Sequence, residues 1–257
     1  MKDIQIHISS DPRRIDREGP ILVAHQPECM PWLGNISKAC MGDVYFILDS
    51  VQFVKKHWQN KNKIRINGGD NFQWLTIPVH GVQDHRLITT DVRIAKGNWK
   101  QKHLKTLELT YRKAPFFEEI FKDLQIIYSS ESELLIDFLL EFIYYAFNKF
   151  EIEVPIYRTS ELIKQGYIIE GEKSNLIISM CKVVNAKVYV FGCDGRTYID
   201  KEVFCNNKVK FVFQDYTHPV YNQIQGNFVS HMSFLDLLFN YGPKSIEVLG
   251  KSNYLEE

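Results

Sequence analysis

The chain carries no surplus of charge, no membrane-length apolar run and no cysteine framework, and each absence removes a class of function. Lys plus Arg and Asp plus Glu number 31 each in 257 residues. A dedicated nucleic-acid binder usually shows a basic excess on at least one domain, so this balance argues against one. The five cysteines (Cys29, Cys40, Cys181, Cys193, Cys205) form no C-x-x-C pair and no zinc-ligand spacing. Their odd number fits a reducing compartment better than a disulfide scaffold, and no metal site is expected. Residues 1–20 contain no apolar core of a secretory signal. The longest apolar stretch, near Ile136–Phe147, is broken by Asp137 and Glu141 and is too short and too polar to cross a bilayer. These absences predict a cytoplasmic protein without a membrane span. The sequence also lacks a Walker A loop, a G-x-G-x-x-G turn and a G-x-S-x-G elbow.

What is present is a hydrophobic fraction of 45%, enough for a sizeable core. Ile21–Ala24 reads as a buried strand, Pro31–Met41 has helical spacing and ends at Gly42, and Val44–Leu48 reads as a second buried strand. Strand, helix and strand within about thirty residues predict a βαβ unit. The fold expected is α/β: a βαβ-type (Rossmann-like) core sheet flanked by helices, with an antiparallel β insertion at about 51–92. Val51–Val54, Lys63–Ile66 and Phe72–Val79 would be its strands and Gly68-Gly69-Asp70 a hairpin turn. Helices are expected over about 100–150, the last starting at Ser130 with Glu133 completing a capping box. An α/β rhythm then resumes. Residues 1–20 read as an extension ending in a charged linker, and 21–257 as one domain.

Candidate chemistry gathers where the first strand meets its helix. His25, Gln26, Cys29 and Trp32 fall within eight residues of a strand-to-helix loop, the place where α/β proteins bind ligands. His25 would serve as an acid/base or a substrate-orienting group, or else be a buried imidazole pinned to a carbonyl. Cys29 offers a thiol nucleophile or a small buried hydrophobe. The run Asp49–Arg65 holds Lys55, Lys56, Lys61, Lys63 and Arg65, with Asp49, Gln52, Trp58 and Asn60 among them. It reads as an anion and sugar site, or as a solvated hairpin edge guarded by lysines. His218, Tyr221 and Asp236 form a third cluster, with Asp236 either catalytic or satisfying helix N–H groups. Trp99 and His103 share a helix face and read as packing.

The series His25-Gln-Pro-x-x-x-Pro-Trp-x-Gly34, Lys38, Asp43, Asp49-x-x-Gln52, Lys55, Trp58-x-Asn60 and Trp74-Leu-Thr-Ile-Pro78 resembles the WbqC-like family. The likeness runs on through Trp99, His103, Tyr111, Gly192, Tyr198, His218-Pro-x-Tyr221 and Ser233-x-x-Asp236, almost the whole chain from Ile21 to Gly242. Cys29 stands where an aromatic is common in the family, and the segment before Ile21 has no counterpart in its core. The resemblance implies a protein of bacterial O-antigen and polysaccharide clusters, where transfer of glycine or a related acyl group to an amino sugar has been suggested. The expectation is therefore a transferase that acylates the amino group of a nucleotide-linked amino sugar. His25, His218 and Asp236 would be catalytic, and Gln26, Trp32, Asp49, Gln52, Lys55, Trp58, Asn60 and Tyr221 would bind substrate. No tightly bound cofactor is expected. The acyl donor would be a coenzyme A or acyl-carrier-protein thioester, or an ATP-derived adenylate. Two rivals stand beside it. One is ATP-dependent carboxylate activation on a nucleotidylyltransferase-like fold, although the paired phosphate-binding histidines of that group are missing. The other is a non-catalytic nucleotide-sugar or glycan-binding module.

Overall fold

The computed structural model describes residues 4–54, 57–66, 70–80, 87–251 and 253–256. In chain order the elements are β1 (Ile21–His25), α1 (Leu33–Ala39), β2 (Val44–Ile47), β3 (Lys61–Arg65), β4 (Phe72–Thr76), α2 (Trp99–Tyr111), α3 (Phe117–Ser129) and α4 (Leu135–Lys149). There follow β5 (Ile156–Arg158), α5 (Thr159–Lys164), α6 (Lys173–Val183), β6 (Val188–Phe191), α7 (Lys201–Asn206), β7 (Lys210–Asp215), α8 (Phe234–Tyr241), α9 (Ser245–Leu249) and β8 (Asn253–Glu256). The fold is α/β, as the alternation of apolar runs and helical spacing implies.

Six strands form the main sheet in the order β5-β2-β1-β6-β7-β8. The first five are mutually parallel and β8 closes one edge antiparallel. The central strands are apolar on both sides because both faces are covered. Ile21, Val23, Tyr45, Ile47 and Val190 pack on the side that holds α1, α2, α3, α4 and α8. Leu22, Ala24, Val44, Phe46 and Phe191 pack on the side of α5, α6 and α7. Renumbered by first appearance, the parallel strands lie 3-2-1-4-5. The chain moves outward in one direction from β1 and in the other from β6, so the crevice beyond the carboxyl ends of β1 and β6 is the topological switch point.

The excursion between β2 and β5 supplies the small antiparallel sheet β3–β4 and then α2, α3 and α4. Asp49 anchors its return. This fully buried carboxylate accepts Arg158 Nε at 2.8 Å, Ser160 N at 2.8 Å, Ser160 Oγ at 2.7 Å and Thr159 Oγ1 at 3.1 Å. It thereby caps α5 and ties β5 to the end of β2. Four donors fill its lone pairs.

Several local expectations are revised. The segment before β1 contains no strand among its described residues, and it is not a free linker. Ile15 is fully buried, Arg14 pairs with Asp43 at 2.6 Å, and Arg13 Nη1 donates to Phe150 O. The Ser130–Glu133 capping box does not form, because Glu133 and Leu134 run extended beside Val92–Ile94 and Glu133 pairs with Arg93. The helix therefore begins only at Leu135. Val51–Val54 makes a single bridge, Gln52 to Ile88, rather than a strand. The turn glycines Gly68 and Gly69 lie outside the described residues. No helix among the described residues is long and apolar enough to cross a membrane.

Candidate functional site

His25 is the last residue of β1 and stands at the switch point. Its Nδ1 lies 2.8 Å from the Gln26 carbonyl, which can only accept, so Nδ1 carries the proton. Nε2 is left with its lone pair, 3.8 Å from Glu28 Oε1, and the side chain keeps 29% of its surface open. Burial, followed by the nearby Lys38 and His57, pushes the imidazole down to about 3 and holds it neutral.

Glu28 turns back under the loop and is almost wholly buried. Asn35 Nδ2 donates to its Oε2 at 3.1 Å, the Trp32 N–H also donates to it, and Tyr45 OH holds Asn35 from behind at 3.1 Å. Burial outweighs these donors and pushes Glu28 up to about 7. Lys38, on α1, is equally buried and donates from Nζ to the Ala24 carbonyl at 3.0 Å. Burial lowers it to about 8, against the attraction of Glu28. A half-buried imidazole, a carboxyl group and an amine thus stand together with proton affinities on either side of neutrality, an arrangement common at functional sites. Among the described residues no group of three or more His, Cys, Asp and Glu is arranged to hold a metal ion.

The loop is kept in shape by its neighbours. Asn62 Nδ2 donates to the carbonyls of Cys29 and Met30 at 3.0 and 2.7 Å, and Cys29 N–H donates to Trp58 O. Trp32 lays its indole over Gly34, where an added Cβ would collide with the ring, which explains the Trp-x-Gly spacing. Trp32 pairs antiparallel with Ser233, and its ring stacks on His231 at 5.5 Å and meets Tyr216 edge-on at 5.4 Å. Met30 and His231 both have positive φ, 47° and 60°. That backbone is uncommon away from glycine and clusters at ligand sites.

The structure sorts the residues singled out from sequence. His25, Gln26 and Trp32 share the crevice loop, with Trp58 against its flank. Lys55 lies outside the described residues. Asp49 is occupied in capping α5, and Asn60 Nδ2 donates to Ile77 O inside the hairpin. His218 is bonded at both ring nitrogens: Nδ1 donates to Pro219 O at 2.9 Å and Nε2 accepts the His231 N–H at 3.1 Å. Burial lowers it to about 4. Asp236 is fully buried and accepts Tyr111 OH at 2.9 Å, Tyr221 OH at 2.8 Å and Gln223 Nε2 at 2.8 Å. Tyr221 is therefore turned inward to that carboxylate. Cys29 is fully buried and burial raises its thiol far above the usual range, leaving it an apolar role. His103 packs as expected, its Nε2 donating to Thr76 O at 3.1 Å and its Nδ1 accepting Tyr128 OH at 3.0 Å. Glu28 and Asn35 escaped the sequence reading. The available signal was a carboxylate three residues after a strand-terminal His.

A cavity of about 1150 Å³ lies at the opposite end of the sheet, beside Asp11, Arg13 and Asp43. Its deepest charges are already paired, Asp11 with Arg13 and Asp43 with Arg14, and it lies away from the carboxyl ends of the strands, where α/β sheets bind ligands.

Comparison with known proteins covers this same ground. The chain is similar to the uncharacterized protein Rv1507c of Mycobacterium tuberculosis, 28% identical over 226 residues, which are 87% of this chain and 95% of that protein. No solved structure matches it significantly. Residues 26–248 match the WbqC-like protein family, a span that takes in the crevice loop, the β3–β4 hairpin, the His218 loop and α8. By that match the chain belongs to the WbqC-like protein family.

Proposed function

We propose that this protein acylates the amino group of a nucleotide-linked amino sugar, in the cytoplasm, during bacterial surface-polysaccharide synthesis. The observation that carries the reading is His25: a neutral imidazole with a free Nε2 at the switch point of a 3-2-1-4-5 sheet, with Glu28 Oε1 3.8 Å behind it. His25 Nε2 takes the proton as the sugar amine attacks the acyl carbonyl of a coenzyme A or carrier-protein thioester. The new N–C bond forms, the C–S bond breaks, and the proton passes from His25 to the departing thiolate. Ionised Glu28 favours the transient imidazolium. Gln26, next to His25 on the loop, would supply a donor to the oxyanion. Of the two histidines expected from sequence, His25 is the one with a lone pair to spare. His218 and Asp236 are committed to the scaffold.

The test supplies purified protein with a panel of nucleotide-linked amino sugars and acyl or glycyl thioesters and reads free thiol. Turnover is expected, and His25→Asn should lower kcat by about 10²–10⁴-fold, the usual worth of a general base. Turnover unchanged in that variant sinks the mechanism. The strand order favours a second reading, activation of a carboxylate by ATP. Pyrophosphate release with ATP and glycine, and silence with thioesters, would select it. Ligand binding with no turnover from either donor would leave a binding module.

A further inference from the structure

The β3–β4 hairpin turns one face to the interior and leaves the other open. Ile64, Leu75 and Asn62 are buried on the inner face. On the outer face the register sets Lys63 opposite Trp74 and Lys61 opposite Thr76, while at the far end Arg65, opposite Phe72, is buried and donates to the carbonyls of Gln225 and Asn227. Trp74 is 41% exposed, an unusual position for an indole in a two-stranded sheet. Trp58 adds a third ring, 5.4 Å from Trp74, and Phe72 meets Trp74 edge-on at 5.8 Å. Lys63 Nζ sits among all three, 4.3 Å from Phe72, 5.3 Å from Trp58 and 5.4 Å from Trp74, and Lys61 Nζ lies 4.2 Å above Trp74. Neither amine has a carboxylate partner among the described residues.

We infer that this outer face is the seat of a nucleoside diphosphate, with the base stacked on Trp74 and the diphosphate held by Lys61 and Lys63. The inference rests on the proposed function and specifies where its substrate is gripped. Two observations select this ligand. The exposed Trp74 ring offers a flat partner to a base, and two ammonium groups without a carboxylate partner favour an anion over a neutral glycan. The face is also continuous with the crevice. Trp58 O accepts the Cys29 N–H, Lys63 O accepts the Ser233 N–H, and Lys63 lies near enough to His231, stacked on Trp32, to disfavour its cation. A nucleotide lying here would present its sugar toward the loop that carries His25. A single-stranded nucleic acid would also use rings and lysines, but the balanced charge of the chain favours the smaller anion.

Calorimetry of the full chain with UDP, GDP, ADP and CDP, with N-acetylglucosamine and with an eight-residue oligothymidylate tests this. At least one nucleoside diphosphate should bind, and the neutral sugar should not. Trp74→Ala should weaken binding about tenfold or more and Lys63→Gln about fivefold with a shallower salt dependence, each in protein that still melts cooperatively above the temperature of the titration. His25→Asn should bind as wild type. Absence of binding by all four nucleotides, wild-type affinity in both hairpin variants, or tighter binding of the oligonucleotide than of any nucleotide would each overturn the inference. Weakened binding in the hairpin variants without acyl transfer to any amino sugar would leave this seat standing and remove the reaction. Turnover with undiminished nucleotide affinity in Trp74→Ala would do the reverse.

Discussion

Replacing Asp236 by alanine should cost stability before it costs anything else. The carboxylate is fully buried, three side-chain donors converge on it within 2.9 Å, and Arg65 lies close enough to favour its charge. Burial alone raises its pKa, and the same burial raises Tyr111 and Tyr221 far above ordinary phenols, so both hydroxyls stay protonated and donate. Truncation strands two phenol hydroxyls and one amide N–H and takes a nearby negative charge from Arg65. Each hydrogen bond to a charged acceptor is worth about 1.5–3 kcal/mol, but the donors share one acceptor and partly relax. The loss expected is therefore that of breaking a buried charged network, about 3–5 kcal/mol. In a chain of this size each kcal/mol moves Tm by about 2–4 °C, so Asp236→Ala should melt about 10 °C lower. Its urea midpoint should fall with the slope unchanged. Asp236→Asn keeps the shape, turns an NH₂ toward donors, and should lose roughly half as much. If Asp236→Ala melted within 2 °C of wild type in the same scan, the carboxylate would not be a structural hub and a catalytic role would return.

The thiols offer a simple check on burial. Cys193 and Cys205 are exposed while Cys29, Cys40 and Cys181 are buried, so a chromogenic disulfide should titrate two thiols quickly in native protein and five in denaturant. A fast third thiol that disappears in Cys29→Ser would show the crevice loop to be open. Acid should destabilise the fold below about pH 6.5, since burial lowers His103 to about 4 and the unfolded imidazole takes a proton that the folded one refuses. His103→Gln should flatten the slope of stability against pH by up to about 1.4 kcal/mol per pH unit between those values, measured by urea melts; an unchanged slope refutes the assignment. Glu28 works in the opposite sense, because its raised pKa adds stability below about 4.5 that is lost as pH climbs through about 7. Gly34→Ala should displace the Trp32 indole from His231. The helix gains about 1 kcal/mol from alanine, which offsets the strain, so Tm should barely move while tryptophan fluorescence changes; an unaltered spectrum would mean that the ring does not rest there.

The core elements were legible because their signals are local. Ile21–Ala24 and Val44–Leu48 are apolar on both faces and bounded by polar residues, which suits central parallel strands alone. Short or edge elements were not. The helix at Lys201–Asn206 has one buried apolar anchor, Phe204, and β8 depends on pairing with β7 rather than on its own pattern. Site residues divided along the same line. His25 could be placed because it ends a recognisable strand. The inward commitments of Asp49, Asp236 and Tyr221 could not be read, because their partners come from elements far along the chain. Tyr111 and Asp236 are 125 residues apart. The motif positions marked these side chains as special without distinguishing a buried cap from a ligand contact.

The latch at Asp49 has a kinetic meaning. It joins residues 109 apart, Asp49 and Arg158, across the whole hairpin and helical excursion. Contacts of such long sequence separation are won only after the intervening loop has been closed, and they form late. The parallel pairing of β5 with β2 therefore waits until the excursion has folded, and the latch works chiefly as a brake on unfolding. Loosening it would shorten the lifetime of the native state while leaving the rate of reaching that state nearly untouched.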